Sequence, residues 1–307
     1  MLKYKISLIG LGTIANHYIG LLESNNMELI AVVDINPNTS ARKNIFNKIT
    51  YFSDYTKLFD YNLDFVLISA TAKNHYSIVK DFLEHRINVI CEKPLAETYM
   101  DINNLYVIAH KNNVKLISIY HWQYTAEVQW LEKYRQQLGE IKKIILKIHD
   151  PYASQNGKNI IEDKIGMLGA VLDEFPNAFS LIDVLLPLDK SENFKIEKKH
   201  SIIDSNCGYE IFCDTEIIYK GIPINISVDW RKNLKDKTFI LEFDKNYLVE
   251  IFHSEGRLYV NNKLSYTWDH SNSLSSQYRT MFANFDVNKD NKRLTEFIFA
   301  VFHKLMQ

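Results

Sequence analysis

Residues 89–94 read Val89-Ile90-Cys91-Glu92-Lys93-Pro94, a short apolar strand that stops on an ammonium group followed by proline. Proline offers no N–H to a sheet ladder and pushes the residue before it out of helical backbone. Lys93 is therefore expected in an extended or turn conformation. At the carboxyl edge of a parallel sheet, where open α/β folds bind ligands, such a lysine faces a cofactor or substrate. The same tripeptide also suits a plain surface βα turn, and these residues alone leave both readings open.

A second stretch with chemistry in it, Gly10-Leu11-Gly12-Thr13-Ile14-Ala15, follows the first expected strand directly. It is the G-x-G-x-x-G/A dinucleotide fingerprint. Gly10 permits the tight turn, Gly12 lets backbone approach a pyrophosphate, and Ala15 allows close helix–strand packing. Thr13 and Ile14 then stand at a helix start, where free N–H groups meet phosphate. Asp34 ends the run Leu29-Ile30-Ala31-Val32-Val33 at the distance where a carboxylate accepts from the adenosine ribose and repels a 2′-phosphate, which favours NAD. Arg42 lies too far along for a phosphate clamp, but Asn36, Asn38 and Ser40 keep NADP open. Asp34 could instead be a turn former before Asn36-Pro37.

These groups need elements to hold them. Strand patterns over Tyr4–Ile9, Met27–Asp34, Asp64–Ala70, Asn88–Cys91 and Leu116–Tyr120 alternate with helical patterns at Ile14–Ser24 and His75–His85. That alternation predicts βαβ units and a doubly wound parallel sheet. From Ile141 the character changes. Ile141–Ile148, Gly208–Tyr219, Pro223–Arg231, Thr238–Phe243, Tyr247–His253 and Arg257–Val260 read as strands, the later ones too close together for crossover helices. They are expected to pair antiparallel. A helix over Leu168–Leu186, stopped by Pro187, interrupts this region, and Lys292–Met306 forms a last helix. The expected plan is a dinucleotide-binding domain over residues 1–120 and an α+β domain with a large, mostly antiparallel open sheet over 121–307.

Composition narrows the function classes. The 307 residues are 46% hydrophobic, enough for two cores, and the net charge of -1 gives no electrostatic case for nucleic acid or an anionic membrane. No apolar run approaches the ~20 residues of a membrane span, and Met1-Leu2-Lys3-Tyr4 enters a strand without a signal-peptide layout. Cys91, Cys207 and Cys213 are odd in number and lack CxxC spacing, so they read as reduced thiols in a cytoplasmic protein with no metal site.

Taken together, the chain resembles the Gfo/Idh/MocA family of sugar oxidoreductases. The resemblance rests on the glycine fingerprint, Val33-Asp34, His75 before a helix, and Cys91-Glu92-Lys93-Pro94-Leu95-Ala96. Leu138-Gly139-Glu140-Ile141 and Gly169-Ala170-Val171-Leu172-Asp173 carry it into the second domain. It implies a Rossmann domain with NAD or NADP held by Gly10, Gly12, Thr13, Ile14, Asp34, Glu92 and Lys93. Ala70-Thr71 departs from the family's frequent Thr-Pro, and His75 is given no catalytic role.

The family's second-domain motif, Asp-x-Gly-x-His, reads here Asp173-Glu174-Phe175-Pro176-Asn177. Asparagine exchanges no proton at neutral pH, so histidine-type base catalysis is absent at position 177. Asp173 and Asn177, four apart, share a helix face and could together hold one sugar hydroxyl, with Asp173 taking its proton. The bulk of Phe175 is expected to reshape that pocket. The variant resembles the aldose 1-dehydrogenase branch acting on L-arabinose and D-galactose, with its related galactose-sensing regulators. Tyr120-His121-Trp122-Gln123-Tyr124 aligns His121 with a sugar-contacting histidine, and Ser227-Val228-Asp229-Trp230-Arg231 resembles a late strand of that branch.

The implied chemistry removes a hydroxyl proton as hydride leaves to the nicotinamide. Lys93, Asp173 and Asn177 are the catalytic candidates. His121, Lys93 and Asn177 are expected to bind substrate, with His149 and Asp150 as further pocket candidates. A cationic, partly desolvated setting would lower the Lys93 pKa. Two other functions fit the same motifs. One is a nucleotide-sugar oxidoreductase of polysaccharide synthesis using Lys158, Lys164, Lys232 and Lys235. The other is a sugar- and NAD-sensing protein without turnover. Self-association as a dimer or tetramer through the second sheet is expected, because an apolar sheet face needs cover.

Overall fold

The structure is a computed structural model that describes residues 3–24, 26–154, 157–271, 273–286 and 291–305. Met1, Leu2 and the expected helix end at Met306 lie outside these residues. The chain forms two units: Met1–His121 with Leu274–Thr295, and Trp122–Ser273 with Glu296–Gln307. Against the expected plan of residues 1–120 and 121–307, His121 and Leu274–Thr295 fall in the first unit.

In the first unit six strands, β1 (Tyr4–Ile9), β2 (Met27–Val33), β3 (Thr50–Phe52), β4 (Phe65–Ile68), β5 (Asn88–Cys91) and β6 (Leu116–Ser118), pair in parallel in the order β3-β2-β1-β4-β5-β6. This is the doubly wound order, with its switch point between β1 and β4. Both faces are covered, so β4 is buried along its whole length, Phe65-Val66-Leu67-Ile68. The helices are α1 (Ile19–Glu23), α2 (Ser40–Asn44), α3 (His75–Glu84) and α4 (Tyr99–Asn112). The fingerprint opens on a 3₁₀ turn, Ile14–His17, and only then α1, with Tyr18 buried at the break. The expected continuous helix over Ile14–Ser24 is therefore two short pieces. Helix α4 goes beyond the elements expected above. Its local signals are the Thr98 cap, which accepts from Asp101 N–H, and apolar Ile102, Leu105, Tyr106 and Ala109 along one stripe.

The second unit holds α5 (Ala126–Leu138), α6 (Gly169–Leu185) and an eight-stranded sheet. Its strands are β7 (Ile141–Pro151), β8 (Phe194–Ile203), β9 (Glu210–Tyr219), β10 (Ile222–Asp229), β11 (Arg231–Phe243), β12 (Leu248–Phe252), β13 (Arg257–Val260) and β14 (Lys263–Thr267). Their order is β14-β13-β12-β11-β7-β10-β9-β8. All neighbours are antiparallel except β7 and β10, whose parallel pairing is allowed by the long intervening chain. On β7, Ile144, Leu146, Ile148 and Asp150 are buried while Lys143, Ile145, Lys147 and His149 look to the opposite, half-exposed face. Helix α7 (Ser273–Ala283) returns to the first unit, where Tyr278 and Phe282 set their rings edge-on to Tyr18 at 4.8 and 5.4 Å. Helix α8 (Lys292–Leu305) ends the described chain.

Candidate active site

At the switch point of the first sheet lies a cavity of about 530 Å³, lined in part by Gly10, Gly12, Asp34, Asn36, Ala70 and Thr71. The two glycines serve different ends. Gly10 has φ +90°, and a Cβ there would stand 2.4 Å from Ala70 N; at Gly12 a Cβ would meet nothing within 4 Å. Protein packing demands the first glycine, whereas the second keeps open the space a pyrophosphate would take. Asp34 is half-buried at the rim. Its Oδ2 accepts from Leu11 N–H at 2.6 Å and its Oδ1 from Asn36 N–H at 2.8 Å, so the carboxylate also braces the glycine loop. Arg42 donates to Phe46 O and lies 5.4 Å from the centroid of the Tyr51 ring, so its guanidinium is already engaged locally. These residues fit a dinucleotide, with Gly12 and the loop N–H groups toward phosphate and Asp34 toward the ribose.

Lys93 is half-buried at the carboxyl end of β5, with a cis bond to Pro94. The neighbouring Glu92 is buried, and its carboxylate has three donors within the unit. Tyr18 and Tyr278 hydroxyls each lie 2.6 Å from Oε1, and Lys93 N–H lies 3.2 Å from Oε2. Burial pushes the Glu92 carboxyl up, against the phenol donors and the Lys93 charge that pull it down. Tyr18 comes from the break after the glycine loop and Tyr278 from α7, so Glu92 joins three distant segments behind Lys93. The first-unit site candidate His121 is also buried. Its Nδ1 pairs with Gln277 Oε1 at 2.7 Å and its ring lies 5.4 Å from that of Tyr278.

His75, 1% exposed, sits between two carbonyl oxygens, Pro94 O at 2.8 Å from Nδ1 and Ala70 O at 2.9 Å from Nε2. It thus ties the turn after Lys93 to the loop that lines the cavity. Burial pulls its pKa down against the two carbonyls, which pull up, so the neutral ring has one N–H for two acceptors. A histidine with a lowered folded pKa binds fewer protons folded than unfolded, so stability is lost as pH falls below the ordinary value of 6.5. Thermal unfolding is expected to show this acid-side loss in the wild type and a shallower slope in His75→Gln. Parallel slopes would remove His75 as its source.

The second-unit candidates lie on α6. Asp173 and Asn177 are both buried, but the side chain that meets the Asn177 amide is Glu174, whose Oε2 accepts from Nδ2 at 3.1 Å. Lys237 Nζ bridges Glu174 Oε1 and Asp150 Oδ2, each at 3.0 Å. Burial, reinforced by the Glu174 charge, raises the Asp150 pKa to about 7 despite Lys237. Spacing alone did not point to Lys237 and Glu174, because β11 and α6 are far apart in the chain. The signal at Glu174 was weak, a charged residue amid a helix pattern that buries Asp173 and Phe175, and Lys237 stands between exposed Asp236 and half-buried Thr238. Phe175 packs against Phe179 and Phe302 with ring centroids 5.7 and 6.1 Å away, so its bulk goes into an aromatic core. His149 is 3.9 Å from Asp236 and lies on the opposite face of β7 from Asp150. Asp229 and Arg231 form a two-pronged ion pair, with Nε–Oδ1 at 2.8 Å and Nη2–Oδ2 at 2.9 Å. Among the basic candidates, Lys164 and Lys235 lie 5.3 and 5.6 Å from the Tyr152 ring centroid, and Lys232 is 3.9 Å from Asp229. Among the described residues no helix is long and apolar enough to cross a membrane.

Comparison with known proteins agrees with this geometry. Residues 4–121 match the family model described as GFO_IDH_MocA, oxidoreductase family, NAD-binding Rossmann fold. An uncharacterized oxidoreductase, YgjR of Escherichia coli (strain K12), is 30% identical over 82 residues, a match that spans 27% of this chain and 25% of that protein. Inositol 2-dehydrogenase of Salmonella typhimurium (strain LT2) is 22% identical over 293 residues, covering 82% of this chain and 83% of its own. The crystal structure of a myo-inositol dehydrogenase from Corynebacterium glutamicum aligns with TM-score 0.76 at 13% identity, over 99% of this chain and 96% of that one. At that identity the likeness establishes the shared fold. Residues 4–121 thus match the NAD-binding Rossmann domain of the Gfo/Idh/MocA oxidoreductases.

Proposed function

We propose that the protein is a cytoplasmic NAD-dependent dehydrogenase of a free sugar or cyclic polyol, acting at a CH–OH carbon such as aldose C1. The observation that carries this reading is Lys93, placed at the carboxyl end of β5 and tied through Pro94 and His75 to the loop lining the dinucleotide cavity. Bound NAD would supply the hydride acceptor. Lys93 holds the substrate oxygen or relays its proton, Asp173 is the base, and Asn177 and His121 orient the hydroxyls. Glu92 acts from behind Lys93, and the carboxylate of Asp34 disfavours a 2′-phosphate. The named activity of the inositol dehydrogenases makes a polyol as good a candidate as an aldose.

The experiment is a panel of free aldoses, inositols and nucleotide-sugars with NAD or NADP, followed by absorbance of the reduced nicotinamide. A lactone or ketone from a free sugar or polyol is expected. Turnover confined to nucleotide-sugars would favour the second reading, for which Lys164 and Lys235 around Tyr152 offer cations to a diphosphate. Binding of NADH and sugar without turnover would instead support a sensing protein. The proposal includes self-association through the half-exposed face of the eight-stranded sheet, so light scattering belongs to the same experiment. A mass of one chain would remove that part.

A further inference from the structure

Asn177 is 4% exposed, and its amide has fixed polarity. Nδ2 donates to Glu174 Oε2 at 3.1 Å, with Asp173 O a longer second acceptor at 3.5 Å. Oδ1 is buried and has no hydrogen-bond partner among the described residues. A carboxylate only accepts, so the nitrogen must face Glu174 and the amide cannot turn over. Lys237, with its side chain 15% exposed, holds its ammonium 3.0 Å from Glu174 Oε1 and 3.0 Å from Asp150 Oδ2. The facing charged and titratable groups are Lys235, 3.8 Å from Asp150, and Tyr152, whose pKa burial and then Asp150 push up. The Lys237 ammonium also lies 5.2 Å from the Trp122 ring centroid. All of these belong to the second unit.

The result is a line of set polarity: ammonium, carboxylate, amide N–H, and then an amide oxygen with nothing to accept from. Buried acceptors are almost always paired. The Asp150 oxygens also lack a hydrogen-bond partner but have ammonium groups at 3.0 and 3.8 Å, whereas nothing among the described residues hydrogen-bonds the Asn177 oxygen, which marks a place where a donor arrives from outside the protein. We propose that Lys237 and Glu174 are positioning residues that lock Asn177 with its amide oxygen presented to a hydroxyl of the substrate. Position 177 then reads a hydrogen-bond donor and disfavours a keto or ether oxygen. A histidine at this place could present either a donor or an acceptor. The locked asparagine presents one. The inference rests on the reading that Asn177 contacts substrate, and it adds what chooses the contact.

A double-mutant cycle on KM, run with myo-inositol, L-arabinose and D-galactose, separates the two claims. Asn177→Ala is expected to raise KM about tenfold, as for loss of one hydrogen bond. Glu174→Gln, which lets the amide turn over, should raise KM severalfold with kcat nearly unchanged, and should add nothing in the Asn177→Ala background. Additive effects on KM would overturn the locking. An unchanged KM in Asn177→Ala would overturn the substrate contact itself, and with it that part of the functional reading. A second measurement needs neither turnover nor a Glu174 variant. In protein labelled with 15N-asparagine, the Asn177 side-chain cross-peaks are those missing from Asn177→Ala. One shifted, exchange-protected amide proton is expected; two solvent-like protons would overturn the locking.

Discussion

Replacing Lys93 with methionine is expected to lower kcat by roughly 10³-fold, the usual range for losing a positioned acid–base group, while NADH affinity stays within about twofold. Methionine keeps most of the apolar stem and removes only the ammonium. The turn itself is held by other means: Lys93 N–H bonds Glu92, whose carboxylate also accepts from Tyr18 and Tyr278, and Pro94 O bonds His75. None of those contacts uses the Lys93 side chain, so the variant should fold. The cavity at the switch point is lined by Gly12, Asp34 and their neighbours, which the substitution leaves in place. Steady-state turnover on the sugar that the panel identifies, with NADH binding followed by fluorescence, checks both halves. Full activity in the variant would take Lys93 out of the chemistry. Loss of NADH binding would show it to be a coenzyme ligand first.

Substitution of the two fingerprint glycines by alanine should give opposite outcomes. At Gly10 the new Cβ would stand 2.4 Å from Ala70 N and 2.6 Å from Ser69 C, both backbone atoms that cannot swing aside, at a φ of +90°. Overpacking of this kind costs about 1–3 kcal/mol, and left-handed backbone adds about 1–2. At ~2–4 °C per kcal/mol for a domain of this size, Gly10→Ala is expected to lower Tm by about 10 °C. At Gly12 a Cβ meets nothing within 4 Å, and no positive φ is required. Gly12→Ala should therefore leave Tm nearly unchanged and weaken NADH binding by about tenfold or more, because the methyl enters the space left for pyrophosphate. Differential scanning fluorimetry and NADH titration on the pair decide it. A stable Gly10→Ala, or a Gly12→Ala with wild-type NADH affinity, would contradict the division of labour between the two glycines.

The chain by itself determined whatever depends on near neighbours. Strand β1, the glycine turn and Asp34 lie within 31 residues, Tyr4–Asp34, and their roles follow from backbone freedom and spacing. The strand before Lys93 was legible to the residue, Asn88–Cys91, because an apolar run ending in proline has few other conformations. The alternation of strands and helices likewise named the doubly wound sheet and the mostly antiparallel one. Helices α4 and α5 were not among the expected elements, although the Thr98 and Thr125 caps gave each a local signal.

Only the tertiary structure decided which distant groups meet. The resemblance put Glu92 among the cofactor residues; in the structure its carboxylate accepts from residues 18, 93 and 278. Asp173 and Asn177 share a helix face by spacing, and the structure adds Glu174, which accepts from the Asn177 amide, and Lys237 of β11 beside Glu174. Leu274–Thr295 joined the first unit although it follows the second unit's strands in the chain. Spacing constrains which side chains share a face. Burial then requires each polar group to find a partner, and that partner can come from any element that packs against it.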